Sequence, residues 1–320
     1  MTTFTSDQFG GSLSGATVLL YDPQHNIRHQ TALALRDIGF KSIVDVAELD
    51  EAHKALVAGS FDLVLLAMNE ANDGTAEMIR QVRQQRHRHD PFVPIMVSVW
   101  RSSRDLVNAA VQGGADDLIK KPYSTAMLAR RIGMLVNARK PFVATADYFG
   151  PDRRQRADAA DDSGTVEAPN SLRDKVQGTP PGSAGRNAAA EALARLQRAK
   201  VRNISYQIVA LAERAGVVAQ ADGKPADWTR AMAAIEQAAA TYRAALHPSY
   251  PASFGSLCDA VARTAGTLRT QAPSARGIAM LEQSALALKT ASEISHDDAG
   301  TAGEISSALD DAAGAARRYG

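Results

Sequence analysis

The stretch Phe61 to Gly74 reads FDLVLLAMNEANDG. A short apolar run bounded by turn residues has the form of a buried strand. A carboxylate at such a strand tip can act as a nucleophile. This run ends instead on Ala67, and the nearest acids, Glu70 and Asp73, fall in the loop beyond it. Both are expected to be solvated loop acids. Two histidines could in principle accept a transferable group, His247 in LHPSYP and His296 in EISHDDAG. A phosphoryl-accepting histidine lies exposed in the middle of a helix. Pro248 and Pro251 end a helix at His247, and Gly300 follows His296 too closely for a long helix around it. Both are expected to be helix-end histidines. There is no Gly-rich phosphate loop, no HExxH and no cyclic-dinucleotide cyclase or phosphodiesterase signature. No enzyme activity, cofactor or metal is expected. The single cysteine, Cys258, excludes an intramolecular disulfide and a cysteine-ligated cluster, and suits a reducing cytoplasm.

The elements that would carry these residues follow from periodicity. The 320 residues allow about two domains, and 45% hydrophobic content is enough for a core. Between Ala16 and Asn137, short β-branched runs (ATVLLYD, KSIVDVA, FDLVLLA, VPIMVSV, DDLIKKP) alternate with segments of helical spacing. NIRHQTALALRDIGF places Ile27, Leu33, Leu35 and Ile38 near one face and stops at Gly39. RSSRDLVNAAVQGG offers Ser102 or Ser103 as N-cap and Gly113 as a stop. YSTAMLARRIGMLVN has Ser124 as cap and a buried stripe of Met127, Leu128, Ile132 and Leu135. Five strands alternating with five helices give a doubly wound, five-stranded parallel sheet of the α/β class. Residues 1–15 read as a disordered tail with no basic start and no apolar run, hence no secretory signal. Residues 139–186 read as an extended linker, because Val166, Leu172 and Val176 are the only sizeable apolar residues between Gly150 and Gly185. Residues 187–320 read as a separate all-α bundle.

Residues 16–138 resemble the receiver domain of bacterial two-component response regulators, a flavodoxin-like fold. The resemblance rests on VLLYDPQ, on FDLVLLA followed by DG, and on GGADDLIKKPYS with its lysine-proline end. It implies that a strand-tip aspartate takes a phosphoryl group from a kinase, with acidic oxygens holding Mg²⁺, a switch hydroxyl and a charge-pairing lysine. Carried across, Asp22 stands at the first acidic position with Pro23 at the second. Ala67 stands at the nucleophile position, Val99 at the hydroxyl position with Ser98 beside it, and Lys121 at the lysine position. The pattern implies a phosphorylation-deficient pseudo-receiver, with Asp22 and Lys121 paired across the empty pocket. The resemblance also points to a partner-binding surface on the fourth helix, fifth strand and fifth helix, where Arg101, Arg104, Asp116, Asp117, Lys120, Arg130 and Arg131 lie.

Outside that match, PFVATADYFGPDRRQR combines Phe142, Tyr148 and Phe149 with Arg153, Arg154 and Arg156. It reads as packing back on the preceding domain or onto the helical region, with a docking motif for an acidic partner and single-stranded nucleic-acid contact as the alternatives. The helical region carries two stripes, one with Ile204, Ile208 and Leu211 and one with Trp228, Met232 and Ile235, expected to form an antiparallel hairpin. Further stripes carry Phe254, Leu257, Val261 and Leu268, then Ile278, Leu281, Leu288 and Ile294, and finally Ile305, Leu309 and Tyr319. Alanine-rich stripes bury little area each, so self-association into a homo-oligomer is expected. The basic piece LARLQRAKVR is expected to be a solvated face, and no helix is basic enough for a DNA-reading output. With a formal net charge of +1, nucleic acid is not an expected partner. No run approaches the roughly 20 apolar residues that span a bilayer, so no membrane is expected either. The combined expectation is a cytoplasmic, non-catalytic signalling adaptor with a protein partner. The alternatives are a phosphorelay component carrying a phosphohistidine and a nucleic-acid-binding regulator.

Overall fold

The computed structural model describes residues 9–84, 90–154, 164–179, 183–220, 225–247 and 250–294. The chain divides into two compact units. One comprises residues 1–143 and 148–193, the other residues 144–147 and 194–320.

In the first unit the five apolar runs form β1 (Thr17–Tyr21), β2 (Ser42–Val46), β3 (Leu63–Met68), β4 (Ile95–Val99) and β5 (Asp117–Lys120). All pair in parallel in the order β2-β1-β3-β4-β5. Between them run α1 (His25–Ile38), α2 (Leu49–Ala58), α3 (Thr75–Arg83) and α4 (Arg104–Gly113), and α5 (Thr125–Asn137) follows β5. The sheet is apolar on both faces because helices cover both. On one face Val18, Leu20, Leu63, Leu65, Met96 and Ile119 pack with α1 and α5. On the other Leu19, Val64, Leu66, Met68, Val97 and Val99 pack with α2, α3 and α4. Ser103 and Ser124 cap α4 and α5, accepting from the amides of Leu106 and Met127. α4 runs through Gly113 and stops at Gly114, which takes the left-handed conformation with φ +96°. Two stripe assignments differ from expectation. Met127 is 51% and Leu33 46% exposed, because each sits one position around its helix from an inward residue, Leu128 and Ala32.

The ends of this unit are not as the composition suggested. Phe9 and Leu13 are buried in the same cluster as Leu172 and Val176, and the Ser12 amide donates to the Val176 carbonyl at 3.1 Å. The expected tail is therefore ordered from Phe9 onward. The expected linker contains β6 (Phe142–Ala144), β7 (Phe149–Pro151), β8 (Thr165–Val166) and α6 (Ser171–Val176), with strand order β7-β6-β8. The three sizeable apolar residues between Gly150 and Gly185, Val166, Leu172 and Val176, are all buried. Few apolar groups suffice here because the receiver-like sheet already supplies the core onto which they pack.

In the second unit α7 (Ser183–Gln220, from Ala194 onward), α8 (Pro225–Ala245), α9 (Ala252–Arg269) and α10 (Ala275–Ile294) share one core. Ile204, Ile208, Met232, Ile235, Tyr242, Phe254, Val261, Leu281 and Leu288 are fully buried in it. α8 packs most extensively on α9 rather than pairing with α7 as a hairpin. The last stripe, Ile305 to Tyr319, lies outside the described residues. Cys258 sits in this core, its thiol donating to the Ala239 carbonyl. Burial pushes that thiol up to about 11, so at neutral pH it stays protonated and poorly nucleophilic. A thiol-specific chromogenic reagent is expected to leave the native chain unmodified and to titrate one thiol after urea unfolding. Rapid labelling of the native chain would contradict this.

Candidate functional site

The carboxyl-terminal edge of the sheet collects the residues of interest. Side chains alternate along a strand, so face and position can be read from the packing. Ala67 follows Leu66 on β3 and falls on the α1/α5 face with Leu63 and Leu65. Parallel register pairs it with Ser98, on the same face as Met96. Val99, the expected hydroxyl position, pairs with Met68 and packs on the opposite face. The hydroxyl beside Ala67 is therefore that of Ser98, which is buried. It faces the Tyr123 hydroxyl, which also bonds Thr31 Oγ1 at 2.9 Å.

Asp22 leaves β1, and Lys121 leaves β5, on that same face. The Lys121 ammonium reaches Asp22 Oδ2 at 2.5 Å, and the two side chains are 2% and 3% exposed. The other Asp22 oxygen accepts the Gln24 amide at 2.9 Å. The Trp100 ring lies over the Lys121 ammonium, 5.6 Å to its centroid. The Lys121-Pro122 peptide is cis. In the loop past β3, Asp73 accepts the amides of Asn69, Glu70 and Thr75. Its oxygens thus shape the loop and cap α3. Burial raises the Tyr21 phenol, and Asp73, Glu48 and Asp22 raise it further.

A magnesium ion needs several hard oxygens in near-octahedral array. Here one carboxylate is neutralised by an ammonium, Pro23 and Ala67 offer no side-chain oxygen, and Asp73 is occupied by backbone donors. The donor set does not fit the ion.

At the opposite edge, a second polar cluster escaped the sequence reading. Asp116 accepts from Arg83 Nη2 at 2.7 Å, from Arg139 Nε at 2.7 Å and from the Ile95 amide at 2.8 Å. Arg83 is fully buried and also donates to the carbonyls of Gly114, Pro91 and Val93. Arg83 and Arg139 both stack on the Phe142 ring, which meets Phe92 and Phe149 edge-on or tilted. Burial alone would push the Asp116 carboxyl up; Arg139 and Arg83 outweigh it and hold the carboxyl below its ordinary value. Gly114 is required here, since a Cβ would fall 2.7 Å from the Phe149 carbonyl. One signal was available: Ala76, Ile79 and Arg83 follow 3-4 spacing, which places an arginine on the buried face of α3 and demands a partner for it.

The docking candidates after α5 are consumed by this cluster. Phe142 is buried, the Tyr148 hydroxyl donates to the Pro151 carbonyl, and Arg153 donates to the carbonyls of Ala115 and Asp116. Arg154 pairs with Asp152. They are not a free docking motif, because the aromatic rings fill the space beneath β4 and β5. Of the α4–β5–α5 candidates, Arg101, Arg104, Lys120 and Arg130 are exposed, while Arg131 pairs with Asp117 at 2.8 Å. Met127 and Met134 are exposed among them. The association candidates Ile204, Ile208, Trp228, Met232 and Ile235 are buried within one chain's bundle, and Leu211 packs against it. They are core, because four helices close the stripes intramolecularly. His247 is exposed just past the end of α8, and His296 lies outside the described residues.

Residues 18–133 match the family model of the response regulator receiver domain. Over 127 residues the chain is 27% identical to the phosphate regulon transcriptional regulatory protein PhoB of Pseudomonas aeruginosa, spanning 40% of this chain and 54% of that one. Over 116 residues it is 25% identical to the chemotaxis protein CheY of the same organism, spanning 36% and 91%. Among solved structures it is similar to the chemotaxis protein CheY4 of Vibrio cholerae, at 24% identity and a TM-score of 0.33, covering 37% of this chain and 95% of that one. The chain thus spans about half the length of the first relative. No described helix is long and apolar enough to cross a membrane. With the five-stranded parallel sheet and its carboxyl-terminal site in place, residues 18–133 are a response regulator receiver domain, a module of two-component signalling, joined to a further helical region.

Proposed function

We propose that this receiver domain works without phosphorylation, as the binding module of a non-catalytic cytoplasmic adaptor. The observation that carries the reading is the buried Asp22–Lys121 pair at the sheet edge where the strand tip of β3 carries Ala67. A methyl group has no lone pair with which to attack phosphorus, and the lysine that would meet the phosphoryl oxygens already has a carboxylate. With no phosphoryl group to shift it, the α4–β5–α5 surface is held in one state. Its exposed Arg101, Arg104, Lys120 and Arg130, interspersed with Met127 and Met134, suit a protein partner bearing acidic and apolar groups. The helical region serves as a second protein-binding module. Any self-association would use its outer faces, because the expected stripes are filled by its own core.

The test is incubation of the full chain with acetyl phosphate and Mg²⁺, followed by intact-mass analysis, alongside a receiver that has its strand-tip aspartate. No phosphoryl adduct is expected on this chain. An acid-stable or hydroxylamine-labile adduct on any aspartate or glutamate of residues 16–138 would overturn the reading.

A further inference from the structure

Beside the Asp22–Lys121 pair a cleft of ≈ 360 Å³ opens between α1 and the segment from Lys121 to Thr125. Its size matches sites for small organic molecules, which begin near about 300 Å³. One wall is the indole of Trp100, 36% exposed and with one face toward Lys121. A large aromatic left about a third in water at the mouth of a cleft is a stacking surface. The floor is polar without being charged overall. Lys121, the one ammonium lining the cleft, is matched by Asp22 at 2.5 Å, and Thr31 and Tyr123 share a hydrogen bond. At the rim, the Gln30 amide and the Thr125 hydroxyl line the cleft, and neither makes a side-chain hydrogen bond among the described residues. Ile27, Ala34 and Pro122 supply the apolar remainder.

From this combination we propose that the cleft binds a small, planar, uncharged molecule that stacks on Trp100 and hydrogen-bonds to Gln30 and Thr125. Lys121 and Asp22 cancel one another, so neither an anion nor a cation finds an unpaired counter-charge in the cleft. The proposal is independent of the phosphorylation reading, since it would hold whether or not an acidic residue here takes a phosphoryl group.

The experiment uses the full chain and ligand-observed saturation-transfer NMR with three fragments of similar shape: benzamide (uncharged), benzoate (anionic) and benzylamine (cationic). Indole serves as a second uncharged probe. Saturable binding of benzamide or indole is expected, at least about tenfold tighter than of benzoate and benzylamine. Trp100→Ala, at a partly exposed site, is expected to weaken it about tenfold with an unchanged circular dichroism spectrum. Gln30→Ala, fully at the rim, provides a second variant in which folding is not at issue and is expected to weaken benzamide more than indole. Three outcomes overturn the proposal: no saturable binding of either uncharged probe, equal binding of charged and uncharged fragments, or binding that neither variant alters. Because no phosphodonor is present, failure here leaves the acetyl phosphate result standing, and the reverse also holds.

Discussion

Asp116→Ala is expected to cost the first unit about 3–5 kcal/mol, a large fraction of the roughly 5–15 kcal/mol that holds an ordinary domain folded. The substitution leaves two guanidinium groups, Arg83 with no exposed side-chain surface and Arg139 at 5%, without the carboxylate that both hydrogen-bond. Losing the partner of a buried charge is far more damaging than the net worth of the pair, because the remaining charge has no water to turn to. The contrast is Arg154→Ala. That residue pairs with Asp152 at a more exposed site, 40% and 13%, and its loss is expected to stay within about 1 kcal/mol. Urea unfolding followed by amide exchange at Ile95 and Asp152 reports on this unit separately from the helical one. Equal effects for the two substitutions would refute the account. The pH dependence follows by linkage. The Asp116 carboxyl is held below its ordinary value of 3.8, so the unfolded chain binds the proton more readily. Its contribution is therefore complete above about pH 4 and is lost as pH falls through the lower folded value. The Asp116→Asn variant is expected to lose that part of the acid sensitivity.

The second large effect is expected at Lys121. Lys121→Met leaves the Asp22 carboxylate buried with only the Gln24 amide to hold it, and a destabilisation of about 3–5 kcal/mol is expected. Asp22→Asn alone leaves the ammonium under Trp100 without its carboxylate and is expected to cost a similar amount. The double variant, Asp22→Asn with Lys121→Met, should recover much of the loss, since neither charge is then stranded. The quantity that decides is the coupling energy of the cycle, expected at about 2 kcal/mol or more. A coupling below about 0.5 kcal/mol would mean that the two side chains are held by water rather than by each other, and would remove the main support for a receiver locked in one state.

Much of this was legible in the sequence, for reasons that can be located. β3 and β4 were readable because strands covered on both sides must be apolar throughout, and LVLLAM and IMVSV leave no other use for so many branched residues. The pairing of Asp22 with Lys121 was readable because both strand ends open on the same edge of a parallel sheet. The hydroxyl position was not, because a one-residue shift between β3 and β4 exchanges Ser98 for Val99, and periodicity within either strand is blind to their mutual register. The ordered segment after α5 was missed for a different reason. Composition measures what a segment can bury by itself, while Phe142, Leu172 and Val176 bury themselves against residues more than a hundred positions earlier in some cases, as Val176 does with Phe9 and Leu13. The helical stripes were recognised, but an apolar stripe has the same spacing whether its partner is in the same chain or another.

The contact between Ser12 and Val176 also bears on how the chain is made. During synthesis the strands from Thr17 to Lys120 leave the ribosome early, and each βα unit can form as it emerges. Phe9, Leu13 and Ala16 must wait for α6, whose residues are added long after β5. Closing so distant a pair is slow, since the loop entropy is spent before any contact rewards it. The nascent sheet therefore passes through a stage with one apolar margin uncovered, the stage at which binding by a chaperone or capture by another unfinished chain competes with completion.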